Sequence, residues 1–339
     1  MEQKNRESRP PSEAPGPDAP EPIRIRAWRP DQPIAPASVD DLAALVADPE
    51  VRLWVDCVNA PTGVIASIAQ TLGLHPLIAE DITERNQRAK IETFDDVVHI
   101  VIFSLTHQGG VETAEIDVVL GRQFLLTVHG PEWDPMAGTP LRLGLQGVLG
   151  KGTDYLLYAL ADSIVDGYFP VLDRLADEID QLQDDVMASA SDWTLQQLFT
   201  LKRELLEIRR ATSPAREIFN QLTNRELGVV DPVHIVYFRD VYDHLIRVTD
   251  ELDNYRELVA GTLDIYLSIV NNNLSLIMKR LTGVTVILAG LGAVGGIFGM
   301  SEASAAFSGE AQPGFWIVTA AAIALAAVSA VVLRRIGWI

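Results

Sequence analysis

Close to the C-terminus, Leu281 to Met300 (LTGVTVILAGLGAVGGIFGM) runs for 20 residues and Phe315 to Leu333 (FWIVTAAAIALAAVSAVVL) for 19 without one charged side chain. A helix needs about 20 apolar residues to cross the hydrocarbon core of a bilayer. Both runs are therefore predicted as membrane spans. The alternative is a buried hairpin in a soluble core, although soluble helices seldom go this far without a charge. Orientation follows from the flanks. Lys279 and Arg280 precede the first run and Arg334 and Arg335 follow the second, whereas the connecting residues 301–314 carry only Glu302 and Glu310. The positive-inside bias puts both termini in the cytoplasm and the short loop outside. Residues 1–22, rich in Pro and Glu and without the apolar core of a signal peptide, are predicted to form a disordered tail.

The charge excluded from the spans is concentrated in the rest of the chain, whose net value is −19. Such a surface repels phosphate backbones, so nucleic acid is not an expected partner and cations are. The single cysteine, Cys57, excludes an intramolecular disulfide and cysteine-based metal clusters. Residues 23–150 alternate β-rich runs with helical ones: VRLWVDC, PTGVIASIAQTL, VVHIVIFSL and EIDVVLGRQFLLTVH. The last reads as a hairpin with Gly121-Arg122 as its two-residue turn. This is predicted as a cytoplasmic α/β domain. Residues 151–232 read as cytoplasmic helices, with Leu156, Leu160, Ile164, Val171, Leu175, Ile179, Leu182 and Val186 at helical spacing and a second stretch from Leu195 to Arg225.

No proline interrupts Val233 to Met300, which predicts one stalk helix over 233–300 that becomes the first span. At ~1.5 Å per residue it would approach 100 Å. A helix of that length implies bundling with copies of itself. One face carries Asp264, Leu267, Asn271, Ser275, Met278, Leu281, Thr285, Ala289, Gly292 and Gly296 at steps of three and four. As a central seam it would supply a charged ring, polar rings that touch hydration water, and an apolar constriction able to dewet. A plain oligomeric coiled coil with register-fixing polar residues is the competing reading.

The segments GLHPLIAEDITERNQRAKIETFDD, YFRDVYDHLIRVTDELDNYRELVAGTLDIYLSIVNNNLSLIMKRLT and GGIFGM resemble the corresponding parts of the CorA family of divalent-cation channels, over the chain from about residue 50 onward. The resemblance implies a homopentamer with a cytoplasmic funnel, a pore lined by the first span, and passive Mg²⁺ uptake gated by intracellular Mg²⁺. It also implies regulatory sites between protomers, built from an acidic pair matching Asp95 and Asp96 together with Asp240 and, one turn further, His244. One departure is large. The family signature Gly-Met-Asn at the pore entrance stands here as Gly299-Met300-Ser301, followed by Glu302. Mg²⁺ dehydrates reluctantly, so a selective entrance should hydrogen-bond the hydrated ion. A serine hydroxyl still accepts, but from further off the axis. The family also tends to have bulkier residues near Ala289 and a proline near Gly290; here a wider pore and a tighter bundle both remain open.

Asp162, Asp166, Asp173, Asp177, Asp180 and Asp184 are spaced as one helical face. Both a solvated surface and a sensor of cytoplasmic divalents fit that pattern. Glu80-Asp81 with Gln87, Arg88 and Lys90 reads as helix-face ion pairing. GLGAVGG lies inside an apolar span and lacks the strand and lysine of a phosphate loop. No arrangement of nucleophile and base is visible, so an enzyme is not expected.

The reading that collects these features is a multi-pass protein of the plasma membrane, the inner membrane in a bacterium. It would pass Mg²⁺, or Co²⁺ and Ni²⁺, with Mg²⁺ both transported and regulatory and no organic cofactor. Two alternatives stay open: a Zn²⁺ transporter of the related branch, and a non-conducting membrane-anchored metal sensor.

Overall fold

The computed structural model describes residues 21–30, 32–224, 227–308, 314–335 and 337–338; at 139–143, 297–308 and 314–319 this extends to the backbone alone. Two compact units divide the chain. One comprises Met1–Asp180 with Phe199–Val259, the other Gln181–Leu198 with Ala260–Ile339.

The first unit is built on seven strands: β1 (Ile23–Trp28), β2 (Ala35–Ala37), β3 (Arg52–Val58), β4 (Lys90–Phe94), β5 (Val97–His107), β6 (Val111–Leu120) and β7 (Phe124–His129). Their order is β2-β1-β3-β7-β6-β5-β4, with β3 and β7 parallel and every other pair antiparallel. Side chains alternate across the sheet. Leu53, Val55 and Cys57 of β3 join Val119, Leu126 and Val128 in a core closed by helices α2 (Thr62–Thr71) and α3 (Pro76–Glu84), through Ile65, Ile68, Ile78 and Ile82. The short α1 (Leu42–Val46) adds Leu42 to it. Each such side chain taken wholly out of water contributes about 1.5–3 kcal/mol. After α4 (Thr139–Lys151), helix α5 (Thr153–Asp166) packs on β3, β5, β6 and β7. The central strands are thus buried on both sides, which explains why VVHIVIFSL reads as a continuous apolar run.

The other β3 face holds a buried polar group. Asp56 accepts hydrogen bonds from Arg24 Nε (3.1 Å) and the Thr127 hydroxyl (2.6 Å), and its Oδ1 lies 3.0 Å from His129 Nε2. Trp54 Nε1 donates to Thr127 Oγ1 in turn. Burial works to raise the Asp56 carboxyl, yet the bonds and charge of His129, with Thr127 and Arg24, hold it below the ordinary range. Residues far apart in sequence are thereby pinned across the one parallel pairing.

The hairpin turn is shifted from its expected place. Leu120 pairs with Leu125, and the Gly121 amide donates to Phe124 O, so Arg122-Gln123 and not Gly121-Arg122 occupy the turn. Gly121 is not among the glycines with positive φ, so the conformational freedom on which the Gly-X reading rested is not used.

Helix α6 (Tyr168–Ala188) and α7 (Asp192–Asn224) follow, and the apolar positions read at helical spacing from Leu156 to Val186 are all buried. Helix α8 (Ile235–Ser308) is continuous for 74 residues. It passes the expected end at Met300 by eight residues, because SEASAAFS contains no breaker and favours helix through its alanines; Gly309 and Pro313 come only afterwards. The expected second span falls on α9 (Gly314–Arg335). Among the described residues one helix, α8, is long and apolar enough to cross a membrane.

Candidate metal centre

The acidic face expected over Asp162 to Asp184 is broken at Gly167, where α5 ends and α6 begins. Asp162 and Asp166 lie on α5, and Asp173, Asp177, Asp180 and Asp184 on α6. The latter four are exposed on α6. Asp162 instead meets Asp240 and His244, one turn apart on α8, and ligand atoms of all three lie within 4.8 Å of one another.

The electrostatics of this group favour a cation. Burial first, and then repulsion from Asp166 and Asp240, pushes the Asp162 carboxyl up to about 6, with His244 partly opposing. His244 Nδ1 is buried without a hydrogen-bond partner, since Asp166 Oδ1 stands 3.7 Å away. The ring sits edge-on to Phe169, with centroids 5.9 Å apart. Two carboxylates and an orphaned ring nitrogen fit a divalent cation: the oxygens suit Mg²⁺, and the imidazole suits Co²⁺ or Ni²⁺.

Of the metal residues expected from sequence, Asp240 and His244 fall in this group and Asp95 and Asp96 do not. That pair forms the β4–β5 turn, where Asp95 takes a left-handed φ of 49° and Asp96 accepts from Arg122 Nη2 at 3.3 Å. Asp162 was visible as part of an acidic face, but a contact 78 residues distant leaves no local signal.

In the second unit all ten seam positions from Asp264 to Gly296 are exposed, including Met278 at 58% and Leu281 at 60%. Opposite them, Val286, Ile287, Gly290 and Leu291 line a groove against Leu325, Val328 and Val332 of α9. At 3.6 residues per turn the seam from Leu281 to Gly296 lies about 120–180° around α8 from Ile287. Ser275 Oγ donates to Asn271 O at 2.9 Å and Thr285 Oγ1 to Leu281 O at 2.7 Å. The side chains of Gly299, Met300, Ser301 and Glu302 lie outside the described residues.

Candidate ligands for a divalent cation on a sheet-and-helix unit, in a chain whose longest helix is apolar enough to cross a bilayer, are features that a membrane protein handling such cations would carry. The family model described as CorA-like Mg²⁺ transporter protein matches residues 50–335, and the chain belongs to that family. Its members are membrane transporters and not enzymes. The cobalt/magnesium transport protein CorA of Thermotoga maritima is 34% identical over 261 residues, covering 75% of this chain and 74% of the relative. The complete structure of the CorA magnesium transporter from Methanocaldococcus jannaschii superposes with a TM-score of 0.77 at 21% identity, over 94% of this chain and 98% of that one. The ZntB cytoplasmic domain from Vibrio parahaemolyticus gives a TM-score of 0.60 at 15% identity, over 74% of this chain and the whole of the domain. The fold is CorA-like, an α/β domain followed by a long C-terminal helix.

Proposed function

We propose that the chain is a passive channel for Mg²⁺, admitting Co²⁺ and Ni²⁺, whose pore is the central seam of a homopentamer in the plasma membrane. What carries this reading is the continuous stripe from Asp264 to Gly296, acidic, then amide and hydroxyl, then apolar and small, which from Leu281 onward is turned away from the α9 groove. Apolar Leu267 and Met278, ahead of the expected span, call for cover from water, while Asp264 and Asn271 on the same stripe call for contact with it. Copies arranged around an axis satisfy both demands. Helices α8 and α9 are then the two spans, with both termini cytoplasmic and residues 309–313 in the external loop.

Residues Gly299, Met300, Ser301 and Glu302 form the entrance. The hydroxyl ring of Ser301 hydrogen-bonds the hydrated ion where the family signature has an amide, and Glu302 raises the local cation concentration. Intracellular Mg²⁺ bound at Asp162, Asp240 and His244, with Asp95 and Asp96 supplied across a protomer boundary, favours the closed assembly by binding it better than the open one. Reconstituted vesicles test the reading. Mg²⁺ and Co²⁺ should enter down their gradients, and Asp240→Ala should raise flux at high internal Mg²⁺. Silence to every divalent ion, in parent and Asp240→Ala alike, would replace the channel by a membrane-anchored sensor.

A further inference from the structure

A second group of ligands lies in the first unit, outside the centre described above. His107 ends β5, Glu178 lies on α6 and Glu204 on α7, and their ligand atoms all fall within 4.8 Å of one another. The His107 side chain is only 9% exposed, and its Nε2 is buried without a hydrogen-bond partner. Glu178 Oε1 is 3.2 Å from that nitrogen but off the line of a hydrogen bond. Such a spacing suits two donors on one ion: at about 2.0–2.1 Å from a tetrahedral metal, two ligand atoms stand about 3.3 Å apart. The Val111 amide faces the Glu204 carboxylate and favours its charged form. The histidine is anchored through its carbonyl, which accepts from Arg174 Nη1 at 3.0 Å.

Another group shows what an already neutralised cluster looks like. At Asp81, Glu92 and His99, Lys90 Nζ stands 2.5 Å from Asp81 and 2.8 Å from Glu92 and supplies the positive charge. Among the described residues no lysine or arginine ion-pairs with Glu178 or Glu204. Burial, followed by repulsion from Glu178, raises the Glu204 carboxyl, so an added cation would relieve a cost already present. Glu178 is 46% exposed, which leaves the group open to solvent ions.

We propose that His107, Glu178 and Glu204 bind a transition-metal ion such as Zn²⁺, Co²⁺ or Ni²⁺, which clamps the end of β5 to α6 and α7 within a single protomer. The imidazole donor sets the ion class, since nitrogen ligation suits these metals and Mg²⁺ holds to oxygen. The site is independent of the transport reading, because it requires neither a pore nor a second copy.

The test is calorimetric titration of the full-length protein in detergent with Zn²⁺, in millimolar Mg²⁺ to occupy the oxygen-rich sites. The parent should bind one Zn²⁺ per protomer at this group, and Asp240→Ala should retain it. Glu178→Gln and His107→Gln should each weaken it by about tenfold or more, as loss of a ligand or its support does elsewhere. Co²⁺ in place of Zn²⁺ should give a visible ligand-field band in the parent that is lost in Glu178→Gln. If His107→Gln fails to fold, the half-exposed Glu178→Gln decides. Absence of Mg²⁺-resistant Zn²⁺ binding in the parent, parental binding in Glu178→Gln, or loss in Asp240→Ala alone would overturn the assignment.

Discussion

Replacing Asp162 by asparagine should stabilise the metal-free protein at neutral pH while removing part of its response to Mg²⁺. The carboxyl is pushed from its ordinary 3.8 to about 6 by burial and by the negative charges of Asp166 and Asp240. Taken at full weight, that difference corresponds to about 3 kcal/mol against the ionised form. Asp162 is partly exposed, and solvent screening reduces the figure to about 1–2 kcal/mol. Because the folded-state value is raised, the fold is favoured below about pH 4, and this contribution is lost as pH rises through about 6. Asparagine fixes the neutral form. In a chelator, Asp162→Asn should therefore melt about 2–8 °C above the parent at neutral pH, and the decline between pH 4 and 7 should flatten. Millimolar Mg²⁺ should then raise the melting temperature of the parent more than that of the variant. Thermal unfolding followed by tryptophan fluorescence, in detergent with and without Mg²⁺, reads all three quantities. Identical pH profiles in parent and variant, or an equal Mg²⁺ response, would show that Asp162 carries no such penalty and takes no part in binding the ion.

Asp56→Ala should cost about 3–5 kcal/mol in denaturant titration, since it strands Arg24 and His129 in a buried setting. The carboxyl of the parent is held low, so the variant should also lose that part of the acid dependence which arises as Asp56 protonates. Cysteine at Ser275 or Met278, with Cys57 replaced, should cross-link between protomers on oxidation; a product that stays monomeric on denaturing gels would remove the central seam. Ser301→Ala should weaken Mg²⁺ uptake into vesicles, whereas Ser301→Asn should sharpen the preference for Mg²⁺ over larger ions. Equal selectivity in all three forms would move the entrance elsewhere. Glu302→Gln should lower flux chiefly at low ionic strength, because exposed charges are screened beyond about 8–10 Å at physiological salt.

Local regularities made much of this architecture legible. The absence of proline from Val233 to Met300 announces α8, and alternation with apolar runs announces β3, β5, β6 and β7. Strand β1 (IRIRAW) alternates as a strand does, whereas β2 (APA) and β4 (KIETF) are too short to give a comparable signal; pairing to β1 and β5 makes them strands. Parallel pairing of β3 with β7 depends on a long crossover, which sequence spacing does not encode. At the metal centre, Asp240 and His244 were accessible through helical spacing and family likeness together. Asp162 was legible as one of an acidic set, but its approach to Asp240 and His244 on α8 is a tertiary contact that periodicity along its own helix does not carry.

The hydroxyl groups on the proposed seam bear on which ions would pass there. Ser275 and Thr285 both direct their hydrogens inward to carbonyl oxygens of their own helix. What each leaves facing away from the helix is lone-pair density. Water bound to a cation turns its hydrogens outward, and water bound to an anion turns its oxygens outward. A ring of such oxygens around an axis can therefore accept hydrogen bonds from the shell of a cation, yet has no hydrogen to give to that of an anion. On this arrangement the sign of the permeating charge would be read from the orientation of its water, by neutral side chains, between the Glu302 entrance and the Asp264 ring.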